Sequence, residues 1–164
     1  MILYIVRHGI AIDHADPKAP PEAERPLTAK GVQKTRSAAL GLRALKLKPD
    51  ALIASPYVRA AQTAEIVAEA LGFAPEKIRV SEALKPGADP AEIVKELSQL
   101  KVKEVMCFGH APHVDRLIEH LACARGAFTE LKKAGVACVE HASGQSRWDL
   151  LWLVTPKILR ELAD

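Results

Sequence analysis

The sequence predicts an α/β fold: a three-layer sandwich around a mostly parallel central sheet, with an antiparallel hairpin strand near the C-terminus. Three observations predict it. Short, continuous apolar runs, MILYIV (1–6), ALIAS (51–55) and EVMCFG (104–109), have the length and composition of strands buried on both faces. Stretches with helical spacing and cap signals lie between them. Near the end, GVACVEH (135–141) and RWDLLWLV (147–154) flank a polar Ala-Ser-Gly-Gln-Ser segment, the pattern of a β-hairpin. Strands that alternate with helices give a sheet covered on both faces.

Each element follows from a local signal. Residues 1–6 are the first strand. Behind Arg7-His8-Gly9, the segment IAIDHADPKAPPEAERP (10–26) is too broken by Pro, Asp and Ala for a regular element. It reads as a long loop, a kind usually functional or disordered. Thr28 is a helix N-cap, and Val32, Ala39, Leu42 and Leu45 then recur at helical spacing through 29–46. Lys48-Pro49-Asp50 stops that helix. After the second strand, Ser55-Pro56 turns the chain into YVRAAQTAEIVAEALG (57–72), an Ala-rich helix ended by Gly72. KIRV (77–80) is a third strand and SEALKPGADP (81–90) a loop. Asp89 at the N-cap and Pro90 behind it open a helix through Leu100. The fourth strand, 104–109, runs into His110-Ala111-Pro112 and a helix over 113–124. The hairpin and a final helix over 156–163 complete a single domain spanning 1–164. Trp148 and Trp152, at period two, are expected on one face of the last strand, in packing rather than in ligand binding.

Composition bounds the function. Lys and Arg number 23 against 20 Asp and Glu, a formal charge of +3, which is no footprint for nucleic acid. No apolar run is long enough to cross a bilayer, and the N-terminus lacks the pattern of a signal peptide, so a soluble cytoplasmic protein is expected. Cys107, Cys123 and Cys138 lack metal-ligand spacing and read as buried thiols of a reducing compartment.

In open α/β sheets, ligands bind beyond the carboxyl ends of the strands. The first strand ends in Arg7-His8-Gly9, the second in Ser55 with Arg59 a helical turn on, the third in Ser81-Glu82, the fourth in Gly109-His110. Two arginines, two histidines and one carboxylate thus share one edge, which suits an anion. Arginine forks match phosphate oxygens and stay charged at any working pH. His8 beside them is a candidate nucleophile, base, metal ligand or hydrogen-bond donor. Metal is disfavoured, since Arg7 and Arg59 repel a cation and no carboxylate or thiol stands beside His8 in sequence. A nucleophilic imidazole must be neutral with one bare nitrogen. The two guanidinium groups disfavour imidazolium, and a hydrogen bond from the other ring nitrogen to a backbone carbonyl would fix the tautomer. Gly9 clears space where the backbone approaches the ligand. Hydrolysis would proceed by transfer to His8 and then attack by water. Glu82 is the candidate general acid, and His110 a further donor to the phosphoryl oxygens.

With these residues in place, VRHG (6–9), RPLTAKG (25–31), SPYVRAAQTAEI (55–66) and GHAPHV (109–114) resemble the histidine phosphatase superfamily, in order, over residues 1 to about 155. The length, RPLT and SEALKPGAD are most similar to its short bacterial phosphohistidine phosphatases. The resemblance implies a phosphoglycerate-mutase-like fold. It also implies His8 as the phosphorylated nucleophile, with Arg7, Arg59 and His110 binding the phosphate. No metal or cofactor is expected. Many relatives place a proton-donating glutamate in the region of Glu82, though the small bacterial group is less uniform there. Long insertions that wrap a sugar phosphate are lacking, which suggests a site open to a protein surface.

Plainer readings stand beside these. His8 alone is equally a strand-end histidine satisfied by backbone, Arg59 a solvated surface charge, His110 a helix-capping or core residue, and Glu82 an exposed loop acid. Arg25 either anchors the loop or lies near the pocket. His14, His113, His120 and His141 have no partner pattern and are read as non-catalytic. The partner is a phosphorylated protein or a small phosphate, with no nucleic acid or membrane. The functions left in competition are a phosphohistidine phosphatase, a small-molecule phosphomonoesterase, and a phosphate-reading module without turnover.

Overall fold

The computed structural model describes residues 1–126 and 128–163. Its six-stranded sheet is built from β1 (Ile2–Arg7), β2 (Ala51–Ala54), β3 (Arg79–Val80), β4 (Glu104–Gly109), β5 (Val136–Glu140) and β6 (Asp149–Val154). Their order across the sheet is β3-β2-β4-β1-β5-β6. The first four strands run parallel, while β5 is antiparallel to β1 and β6 antiparallel to β5. The helices are α1 (Ala29–Ala44), α2 (Val58–Leu71), α3 (Pro90–Ser98), α4 (His113–Leu121) and α5 (Pro156–Leu162).

Alternation along β1 makes the three layers. Leu3 and Ile5 face one core with Ile93 and Leu97 of α3 and Leu117 and Ile118 of α4. Tyr4 and Val6 face the other, with Leu42 of α1, Val67 of α2 and Leu159 of α5. Each such fully buried aliphatic side chain contributes about 1.5–3 kcal/mol of transfer free energy. Ala60, Ala64 and Ala68 recur every fourth residue on α2, all fully buried. Small side chains there bring α2 close to the sheet, which seats Arg59 against the strand ends. Thr28 caps α1 by accepting the Gly31 N–H at 2.9 Å, as the sequence predicts. Gly31 itself is required. A Cβ there would stand 1.9 Å from the Ile10 carbonyl oxygen, so glycine lets the loop after β1 lie on the first turn of α1.

Several boundaries differ from the expected ones. The third strand shrinks from 77–80 to two residues because Pro75–Lys77 forms a 3-10 turn. The helix expected over 29–46 stops at Ala44, and Lys46 takes a positive φ. The one expected through Leu100 ends at Ser98, and the one over 113–124 at Leu121, with Cys123 at φ 52°. The 10–26 segment is more ordered than a plain loop. Ala11 bridges Leu27, and Glu22–Glu24 form a 3-10 turn.

Two expectations are overturned. Trp148 and Trp152 do not share a face: Trp148 packs on the core of Leu3 and Ile5, Trp152 on that of Tyr4. The pairing slips between Cys138 and Val139, where Trp152 faces Cys138 but Leu150 faces Val139. Leu151 is the extra residue, and one extra residue inverts the period-two pattern. The cysteines are also not all buried: Cys107 and Cys138 are, but Cys123, beyond the end of α4, is exposed. Among the described residues, no helix is long and apolar enough to cross a membrane.

Candidate active site

The parallel register of β1 and β4 sets Arg7 opposite Gly109, so the next residues, His8 and His110, emerge together. The His8 N–H donates to the Gly109 carbonyl at 3.0 Å, and the two imidazoles stand 5.1 Å apart, centroid to centroid. β2 delivers Ser55 on the far side of β4. Its N–H donates to Phe108 O, and its hydroxyl lies 2.8 Å from Nε2 of His110. Arg59, in the first turn of α2, reaches back over the ring of Tyr57 to His8. Thr63, one turn further, donates its hydroxyl to the Arg59 carbonyl at 2.7 Å and accepts the Gly9 N–H at 3.0 Å. It ties α2 to the backbone behind His8.

The contacts of His8 decide its tautomer. Nδ1 lies 2.7 Å from the Gly9 carbonyl, which only accepts, and Nε2 lies 3.2 Å from Nε of Arg59, which only donates. The ring is therefore neutral, protonated on Nδ1, with its lone pair at Nε2. At 8 % exposure, burial is the first cause that pulls its pKa down to about 3; Arg59 and Arg7 add to it. Like-charge repulsion, the cause read from the sequence, is present but comes after desolvation. His110 is pushed down to about 2 by burial first, then by His8 and Arg59.

Arg7 donates from Nη1 to the Leu131 carbonyl at 2.8 Å, which fixes its guanidinium at the rim. Arg59, only 3 % exposed, has acquired a carboxylate partner: Glu22 accepts Nη2 at 2.7 Å on Oε1, and its carbonyl accepts Nη1 at 2.7 Å. Arg25 grips the same carboxylate at 2.8 Å through both Nε and Nη2 and also donates to the Ile12 carbonyl. The Arg25 hydrogen bond, then Arg59, holds the Glu22 carboxyl below the usual range. Arg25 is thus both loop anchor and pocket wall. Together these residues enclose a cavity of about 580 Å³, lined by Arg7, His8, Glu22, Arg25, Arg59 and Lys133 among others.

The structure brings Arg7, His8, Arg59 and His110 together and leaves Glu82 apart. Glu82 is 72 % exposed, forms an ion pair with Lys85, and does not line the cavity. Its side chain follows a 3-10 turn that starts at Ser81, which turns it out to solvent. His14 sits at the cavity mouth beside Asp13, whereas His113 is buried in the core, its ring nitrogens without a hydrogen-bond partner among the described residues. Glu22 and Thr63 escape the sequence reading. The only hint of Glu22 is the ordered turn that the PPEAERP stretch forms. Among the described residues, no three His, Cys, Asp or Glu side chains gather to hold a metal ion.

A buried neutral imidazole at a strand end, with the guanidinium groups of Arg7, Arg25 and Arg59 lining the same cavity, has the chemistry to receive an anion on an α/β scaffold. The histidine phosphatase superfamily (branch 1) model matches residues 3–86. A protein of Picosynechococcus sp. is 34% identical, over 97% of this chain and 99% of its own length. The phosphohistidine phosphatase SixA of Escherichia coli (strain K12) is 30% identical, over 92% of this chain and 93% of its own. The solved structure of the protein histidine phosphatase SixA complexed with tungstate superimposes with a TM-score of 0.86 at 26% identity, covering 97% and 99% of the two chains. The chain belongs to the histidine phosphatase superfamily.

Proposed function

We propose that this protein hydrolyses phosphohistidine in a phosphorylated protein, such as a phosphorelay or phosphotransfer component, through a phosphoryl group carried on His8. The observation that carries this reading is the unprotonated Nε2 of a neutral His8, which accepts only from Arg59 and lines the cationic cavity. In the first step the Nε2 lone pair attacks phosphorus and the bond from phosphorus to the substrate imidazole breaks. That imidazole leaves with the bonding pair and takes a proton from solvent, because His110 is held neutral and can offer a hydrogen bond but no acidic proton. In the second step water attacks the phosphoramidate on His8, loses a proton, and inorganic phosphate leaves. Arg59 turns from Nε2 and Glu22 to the phosphoryl oxygens. Arg7 and His110 hold the remaining oxygens as charge spreads in the transition state.

The placement of Glu82 supports phosphohistidine over a phosphate ester. An alkoxide leaving group needs a general acid, and the Glu22 carboxylate that lines the cavity is held ionised by two arginines. A displaced imidazole needs far less help. In this reading Glu82 serves at most as a donor for slower ester substrates.

Incubation with phosphoramidate or acetyl phosphate, followed by rapid quench, tests the mechanism. The expected product is one acid-labile, base-stable phosphoryl group on His8, missing in His8→Ala. Stoichiometric phosphate on a serine would overturn it. Faster turnover of p-nitrophenyl phosphate than of a phosphohistidine peptide would transfer the assignment to a phosphomonoesterase.

A further inference from the structure

Beside the catalytic cavity lies a larger one, of about 700 Å³, to which phosphoryl transfer assigns no task. All its charged lining is of one sign: Arg7, Lys34, Lys132, Lys133, Lys157 and Arg160. The formal charge of the chain is only +3, so this concentration is local. Lys132 meets Glu130 at 2.6 Å and Lys157 meets Glu161 at 3.9 Å, but both pairs are exposed and neither acid lines the groove. Exposed pairs of this kind contribute little and exchange readily. Arg7, Ile10 and Lys133 line both cavities, so the groove opens onto the rim beside His8.

The lining also indicates what fits. Ile10, Ala134 and Pro156 make an apolar floor, and the cations stand around it on long side chains, several of them exposed. A small polyanion calls for buried donors that converge on a point. Apolar lining surrounded by positive charge on long, partly exposed side chains suits instead an acidic protein surface that also presents an apolar side chain. Such a surface must lie somewhere when a protein-borne phosphohistidine enters the neighbouring cavity.

We infer that this groove docks an acidic surface of the phosphohistidine-bearing protein, with carboxylates on the lysine and arginine rim and an apolar residue on the floor. The inference rests on the function proposed above. It makes Lys34, Lys157 and Arg160 determinants of specificity that never touch the phosphoryl group.

The test uses two short phosphohistidine peptides that differ only in their flanks, Asp/Glu-rich in one and Lys-rich in the other, with p-nitrophenyl phosphate as the small control. The protein should favour the acidic peptide at least about tenfold in kcat/KM, mostly through KM. That preference should shrink as salt rises from ~0.01 to ~1 M, where the Debye length falls from about 30 to about 3 Å. Lys34→Glu/Lys157→Glu/Arg160→Glu should abolish the preference and leave p-nitrophenyl phosphate turnover within about twofold, as should the triple Gln variant. Equal kcat/KM for the two peptides, or an equal loss on all three substrates, would overturn the inference. So would inhibition by tripolyphosphate that the triple variant escapes, without any peptide preference, since the groove would then serve a small polyanion. Peptide binding to His8→Ala, read by anisotropy, separates docking from chemistry. Tighter binding of the acidic peptide with no phosphohistidine turnover by the unmodified protein would sink the proposed function and keep the groove.

Discussion

The two walls of the catalytic cavity are made differently. One consists of strand ends and the first turns of α2: His8 and Arg59 line it, His110 is buried against His8, and backbone carbonyls, Ser55 and Thr63 fix their atoms. The other is the segment between β1 and α1, where Glu22 is 52 % exposed and is held by arginine forks rather than by packing. The first wall cannot move without opening the core. The second can exchange its contacts at the cost of a few solvated ion pairs. In the free protein the Glu22 carboxylate puts two oxygens against Arg59 and Arg25, much as a phosphoryl group would. In the proposed function, the rigid wall carries the chemistry and the adaptable wall holds a carboxylate where the substrate anion would bind.

Substitutions should separate the walls, and the largest effects belong to the rigid one. His8→Ala should lower turnover by at least about a thousandfold in steady-state assays, because it removes the nucleophile that the proposed mechanism requires. Arg59→Ala should cost about a hundredfold in kcat/KM, as its contacts strengthen while charge develops. Unchanged kinetics would place Arg59 in the adaptable wall.

Acid should strike the rigid wall next. His8, His110 and His113 are held neutral by burial, with values near 3, 2 and 4, while the unfolded chain protonates its imidazoles near 6.5. Below pH 6.5 the unfolded state therefore binds more protons. Stability, full above that pH, should fall as pH drops toward 4, by a total on the order of a few kcal/mol in denaturant titrations. Flat stability over that range would mean that these rings are solvated.

Thr63→Val, which leaves the buried Gly9 N–H without its acceptor, should cost about 1–3 kcal/mol in stability and lower kcat roughly tenfold. The smallest effect belongs to the adaptable wall. Glu22→Gln should tighten inorganic phosphate binding about two- to fivefold by calorimetry, with turnover nearly kept. Weaker phosphate binding would show that Glu22 positions Arg59 instead of competing for it.

The rigid wall was legible because regular elements build it. An apolar run that ends in Arg7-His8-Gly9, and another that ends in Gly109-His110, meet once a parallel sheet is assumed, and the register of β1 with β4 does the rest. Arg59 was legible from its place one turn into a helix after a strand end. Glu22 was not, since its position depends on a non-periodic path, fixed by the Ala11–Leu27 bridge and the packing of Ile10 on Gly31. Thr63 was hidden because a buried helical threonine looks the same whether it fills space or accepts a hydrogen bond. Glu82 lies at the expected end of the third strand, but that strand is two residues long and its 3-10 turn sends the side chain outward. Trp148 was misplaced because a bulge leaves no mark on composition.

That bulge has a further consequence. β6 closes the order of the sheet, so among the described residues one side of its backbone has no neighbouring strand. Such a margin can recruit an extended segment of another molecule and seed fibrous growth. The kink at Leu151 interrupts the run of free amides and carbonyls midway along the strand, so an incoming ribbon meets two short, misaligned tracts instead of one continuous template.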